Sequence, residues 1–182
     1  MGLCSFLFKQ ELQTSDWPSS DSCGFQMVME ILLSKQEKIF LLVSSPRPFE
    51  YRALLKRKHM PLLDYQCVFC NSGIDEDIFH LLFHCPFSLA CWTNLQLIIP
   101  NSQDVGFIVE SIKRQLHLPF FMEVLITICW SIWSIRNDVI FRNTPHSVNW
   151  CKQVFKKEFA LVILRAKAKY QPHIDLWLQS FV

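Results

Sequence analysis

The sequence predicts an all-α fold, a small helical domain built around a Cys/His cluster near the middle of the chain. Three observations carry this. Only 4 of the 182 residues are glycine, too few for a turn-rich β protein, whereas 51% are apolar and 16 are phenylalanine, enough for a substantial core. From residue 86 onward the apolar residues recur at helical spacing in one block after another. Residues 67–85, CVFCNSGIDEDIFHLLFHC, gather thiols and imidazoles at the spacing of metal ligands.

In that stretch Cys67 and Cys70 form a C-x-x-C pair. One tight turn can then aim two thiolates at one ion, and Zn2+ takes four soft or borderline ligands in a tetrahedron. Gly73 follows closely, where a knuckle needs a permissive backbone. Asp75, Glu76 and Asp77 read as the first turn of a short helix, acids at its positive end, with His80 riding on it. The fourth ligand has two candidates. His84 shares a helix face with His80. Cys85 would point about 140° away from His80 on an ideal helix. Pro86, however, pushes the residue before it out of the helical region, so the helix should break at Cys85 and let the thiol swing back. The expected ligands are Cys67, Cys70, His80 and Cys85, with His84 as the alternative to Cys85. Two unrelated buried thiols and a helix histidine is the weaker reading, because four donors fall at closing distances.

These residues also resemble a family. LLKRKHMPLLDYQCVFCNSGIDEDIFHLLFHCPFSLACW is similar to the zinc-binding domain that follows the reverse transcriptase in plant LINE-type (non-LTR) retrotransposon polyproteins. The matching positions are Leu54 and Arg57, then Cys67 and Cys70, the acids from Asp75 to Asp77, His80, Leu81, Leu82, Phe83, Cys85, Pro86, Phe87 and Trp92. Downstream, Trp130, Trp133, Arg136, Asn137, Ile140 and Phe141 resemble the family's tryptophan-rich helix. The resemblance implies bound Zn2+, favours Cys85 as a ligand, and places the module beside a nucleic-acid enzyme and other segments of such a polyprotein. The departure is upstream: residues 1–50 do not show the family's aromatic, proline-containing lead-in.

Charge and cysteine usage bound the setting. A net charge of +2 is too small to imply nucleic-acid binding by itself. Eight cysteines without a secretory signal point to a reducing compartment and metal chemistry, hence to the nucleus or cytoplasm rather than secretion. Met1-Gly2 opens the chain, but Phe6 breaks the myristoylation pattern. The most apolar run, residues 120–135, is shorter than a membrane span and carries Glu123, so it reads as a buried helix and no membrane partner is expected.

Three regions are expected. Residues 1–50 are a leader with one helix over 23–43, ended by Pro46 and Pro48. Residues 51–98 are the zinc-binding module, with a short basic helix over 51–59 and a helix opening at Pro86 and ended by Pro100 whose inner face is Phe87, Cys91, Leu95 and Ile98. Residues 104–182 are a helical region packed against it. Its first helix buries Phe107, Ile108 and Ile112. The next, over 120–141, is apolar almost all round except for a stripe of Thr127, Ser131, Ser134 and Asp138, with Trp130 and Trp133 buried. A long helix over 147–170 buries Cys151, Phe155, Phe159, Val162 and Ala166, and a short tail helix follows through Ile174, Trp177, Leu178 and Phe181.

No enzyme is expected. There is no Tyr-x-Asp-Asp, no P-loop and no Gly-x-Ser-x-Gly, and the acids at 75–77 are contiguous, so their side chains diverge and cannot pair around two metals. A redox role for Cys67 and Cys70 would need a βαβ context that the chain lacks. Arg52, Lys56, Arg57 and Lys58 give four cations just before the knuckle. They read either as a solvated helix end or as a phosphate-contacting patch for RNA or single-stranded DNA. A helical protein-interaction domain with purely structural zinc is the alternative function.

Overall fold

The computed structural model describes residues 52–57, 59, 61–62, 64–165 and 171–179. The expected helix over 23–43, the leader as a whole and Lys58 lie outside the described residues. Within them the protein is helical, with no strand: α1 (Arg52–Arg57), a π-helical turn (His80–His84), α2 (Pro86–Asn94), α3 (Val105–Leu116), α4 (Phe121–Arg142), α5 (Val148–Arg165) and α6 (Gln171–Gln179). The extended residues before the π-helical turn make one isolated antiparallel bridge, between Gln66 and Asp75.

Helix α4 is the axis of the core. It packs most extensively on α5 and also meets α2, α3 and the π-helical turn, while α5 carries α2 and α6. The buried face of α5 is Cys151, Phe155 and Phe159, as its spacing predicts, and α6 adds Ile174. Trp177 packs edge-on against Phe120 and Phe155 and at a tilt against Phe159. Val162 and Ala166, and Phe181 of the tail, fall outside the described side chains.

Helix α4 runs for 22 residues, longer than the apolar run read from the sequence and, by length and composition alone, long enough to cross a membrane. Half of its residues, 11 of the 22, are buried inside the protein. The expected polar stripe is accommodated internally: Thr127 Oγ1 donates to the Glu123 carbonyl and Ser131 Oγ to that of Thr127, both at 2.7 Å. Each hydroxyl thus satisfies itself one turn back and needs no partner across the interface. Trp133 is buried and Trp130 half-buried.

Two helix faces differ from expectation. Helix α2 ends at Asn94, and Gln96 takes a left-handed conformation (φ 60°). That turn buries Leu97 and leaves Ile98 77% exposed, its backbone bonded in both directions to the Gln115 side chain. In α3, capped by Asp104 through the Gly106 amide, the inner face is Val105, Ile108, Val109 and Ile112, the i, i+3, i+4, i+7 set, and Phe107 lies outside it.

Candidate metal centre

The three contiguous acids do not open a helix together. Each does something different. Asp75 is extended and bridges to Gln66, and the Cys67 amide donates to the Ile74 carbonyl at 3.0 Å. Gly73 makes this return possible with φ at 68°, a region other residues enter only under strain. Glu76 is fully buried, its carboxylate held by Arg136 of α4. Asp77 caps the turn after it, its Oδ1 accepting from the His80 amide at 2.9 Å.

The π-helical turn answers the geometric problem posed by His80 and Cys85. The Cys85 amide donates to the His80 carbonyl, five residues back, at 2.6 Å. A turn one residue wider than an α-helical turn brings the fifth residue back toward the face of the first. Cys85 is itself extended (ψ 135°), as its place before Pro86 requires. The sequence signals the break at Cys85; the widened register is an addition to it.

This turn has a cost, and α2 meets it. In an α-helix the Leu81 carbonyl would accept from the Cys85 amide, which is diverted to His80. The Leu82 carbonyl would accept from residue 86, but Pro86 has no N–H. Both carbonyls lie in buried residues. Ser88 Oγ donates to the first and Trp92 Nε1 to the second, at 2.7 Å for the tryptophan. Trp92 therefore closes the turn that carries two of the four donors, while stacking on Phe83.

The result is a cluster. One donor atom each from Cys67, Cys70, His80 and Cys85 lies within 4.8 Å of all the others. Cys67 Sγ is 3.8 Å from Cys85 Sγ, and Cys70 Sγ is 3.3 Å from His80 Nε2. Tetrahedral Zn2+ with Zn–S near 2.3 Å and Zn–N near 2.0–2.1 Å has edges of about 3.8 Å between sulfurs and about 3.5 Å between sulfur and nitrogen. The donor set and its spacings fit zinc. His84 stands outside the cluster: its ring stacks on Phe79, and among the described residues its Nε2 has no hydrogen-bond partner.

The electrostatics differ from donor to donor: the Cys67 thiol is pushed toward keeping its proton, whereas Cys85 and His80 are shifted toward the forms that bind a cation. Cys67 donates to Cys85, which with burial pushes the Cys67 thiol far up. Cys85 is lowered, first by accepting that bond and then by the Phe87 and Ser88 amides at the start of α2. Burial pulls His80 below the usual imidazole value, keeping it neutral as a ligand must be. The remaining described thiols, Cys91, Cys129 and Cys151, are buried core residues outside the cluster.

Two of the basic residues before the knuckle, Arg52 and Lys56, are held against it. Arg52 Nη1 donates to the Gln66 carbonyl at 2.9 Å and pairs with Asp64 at 3.3 Å. Lys56 pairs with Asp75 at 2.7 Å and lies 5.3 Å from the Tyr65 ring centroid; the hydrogen bond to Asp75 holds its pKa above the usual lysine value. Arg57 is exposed at the end of α1.

Residues 29–92 match the family model described as zinc-binding in reverse transcriptase. The match takes in all four clustered donors and stops at Trp92; it also includes residues 29–50, where the sequence alone shows no part of the family pattern. No curated protein and no solved structure matches the chain.

Proposed function

We propose that the chain is a retrotransposon-derived module of the plant LINE (non-LTR) type, in which Zn2+ on Cys67, Cys70, His80 and Cys85 holds a basic helix end against RNA or single-stranded DNA. The observation that supports this most is the gathering of four soft donors within 4.8 Å inside the stretch that matches a reverse transcriptase zinc-binding domain. Bound zinc would supply folding free energy and fix the knuckle. The knuckle in turn carries α1: the Ala53 amide donates to the Glu76 carbonyl and the Arg52 amide to Glu76 Oε1. Arg52, Lys56, Arg57 and Lys58 are the phosphate contacts. The pairs with Asp64 and Asp75 are solvent-exposed, so a phosphate can displace either carboxylate. The module has no catalysis of its own. It works inside the cell, in the nucleus or cytoplasm, beside other segments of the parent type of polyprotein and away from membranes.

A second reading, a helical protein-interaction domain with purely structural zinc, is favoured by the fact that Arg52 and Lys56 already have acidic partners. Metal analysis and a salt titration separate the two. Purified protein should carry one zinc per chain. Fluorescence anisotropy with labelled RNA or single-stranded DNA should show weak, sequence-tolerant binding whose log K falls with log salt at a slope of about −2 to −3, as for three or four phosphate contacts. Replacing Arg52, Lys56, Arg57 and Lys58 by Ser together should abolish binding and leave the zinc in place. Zinc-loaded protein that binds neither nucleic acid at low salt leaves the interaction domain as the account.

A further inference from the structure

The buried ion pair between Glu76 and Arg136 joins residues 60 positions apart in the sequence. It lies partly outside the stretch that matches the family model, since Arg136 stands on α4, beyond residue 92. We propose that Arg136 is a positioning residue for the metal centre, holding in register the two arms of the knuckle that present the ligands.

Glu76 is placed to transmit such an effect. On one side its amide donates to the Tyr65 carbonyl at 2.9 Å, next to the Gln66–Asp75 bridge and the Cys67–Ile74 bond that shape the Cys67–Cys70 arm. On the other side it directly precedes Asp77, the cap of the turn that carries His80 and Cys85. It is thus the junction between the two ligand pairs. Its side chain is held through one oxygen: Oε1 accepts from Arg136 Nη2 at 2.7 Å and Nε at 3.2 Å, and from the Arg52 amide of α1 at 3.1 Å, while Oε2 has no hydrogen-bond partner among the described residues.

Arg136 is itself oriented from three directions. Its guanidinium lies 4.7 Å from the Trp133 ring centroid, its Nη1 donates to Asn137 Oδ1 at 3.1 Å, and its side chain is almost wholly enclosed. A planar, forked cation stacked on an indole can take one orientation only, which a lysine ammonium would not reproduce. Two groups so constrained, with neither able to reach water, make the position of the junction depend on α4. Partners that orient ligands from outside the coordination sphere commonly contribute 10–100-fold to metal affinity.

The role rests on the metal reading above, and the experiment keeps the two separable. Zinc affinity of the purified full chain is measured by competition with a chromophoric chelator, and the visible spectrum of the Co2+-loaded protein is recorded at saturating metal. Arg136→Met should weaken zinc binding by about 10–100-fold and change the cobalt ligand-field bands, because the ligands settle in a different arrangement. Arg136→Lys should fold more readily and fall between the two, keeping the charge and losing the fork. Arg142→Met, which removes a surface pair with Asp138 on the same helix, should leave both readouts unchanged. Wild-type affinity and an unaltered cobalt spectrum in Arg136→Lys and in whatever Arg136→Met protein folds would overturn the role of Arg136 alone. A wild-type chain that takes up neither zinc nor cobalt would overturn the metal centre and this role with it.

Discussion

Trp92→Phe tests the account of the π-helical turn most directly. Phenylalanine keeps the stack on Phe83 and removes only the indole N–H and part of the ring. The Leu82 carbonyl then loses its donor, and Pro86 cannot replace it. A buried acceptor left unsatisfied costs about 1–3 kcal/mol. Trp92 is fully enclosed, so the smaller ring also leaves a void of a few tens of Å3, worth roughly 1 kcal/mol at about 24 cal/mol per Å3. The expected loss is about 2–4 kcal/mol, which at an m value of about 2 kcal/mol/M lowers the urea midpoint by about 1–2 M with m unchanged. Helical circular dichroism of the zinc-loaded protein tracks the transition without depending on the lost tryptophan. Ser88→Ala, which frees the Leu81 carbonyl, should act in the same direction. A Trp92→Phe midpoint within about 0.2 M of wild type would mean that the carbonyl has another donor and that the turn does not depend on α2.

Two further outcomes are expected. Cys67→Ser or Cys70→Ser should release the metal and loosen residues 60–92, whereas His84→Ala should leave it bound; metal analysis of the purified variants decides, and an empty site in His84→Ala with a filled one in Cys85→Ser would reverse the ligand assignment. Acid should destabilise the metal-free chain through His80, whose imidazole is held below its ordinary value of 6.5, chiefly by burial. Above that value neither state is protonated and the contribution is complete; as pH falls below it the unfolded chain takes the proton first, and stability drops until the folded pKa is reached. Urea titrations stepped from about pH 7.5 to 5 should show that decline in wild type and less of it in His80→Ala.

The metal-type grouping and the order of helices were legible in the sequence because both are local. Thiol spacing, a proline and a helical period are each written within a few residues. The features that were not legible depended on partners far along the chain or on single backbone angles. Glu76 and its neighbours looked like one acidic helix start; that one of them is buried depends on Arg136, 60 residues away. Gln96 gives no sign in its side chain of its left-handed backbone, yet that one angle exchanges Leu97 for Ile98 in the core. Phe107 was placed inward on hydrophobicity, but two β-branched valines on the other side of α3 fit the inner face at the correct spacing. The widened turn was half legible: Pro86 announced the break, while the diverted Cys85 amide left no mark in the residue types.

Between α4 and α5 the chain sends His146 back to the knuckle, where its ring lies 5.1 Å from that of Phe69 and 4.9 Å from that of Phe87. Phe69 sits inside the C-x-x-C loop, so a side chain from the far half of the molecule covers the loop that presents the first two thiols. The consequence concerns autonomy. A peptide cut after Trp92 would contain every donor atom yet expose Phe69, Phe87 and the Glu76 carboxylate, all buried in the intact chain. Unlike a bead that can be threaded onto any string, this knuckle is roofed by the half of the chain downstream of it. Transplanting it would require the roof as well, and recombination between elements within residues 93–146 would separate a finger from the shelter it folds under.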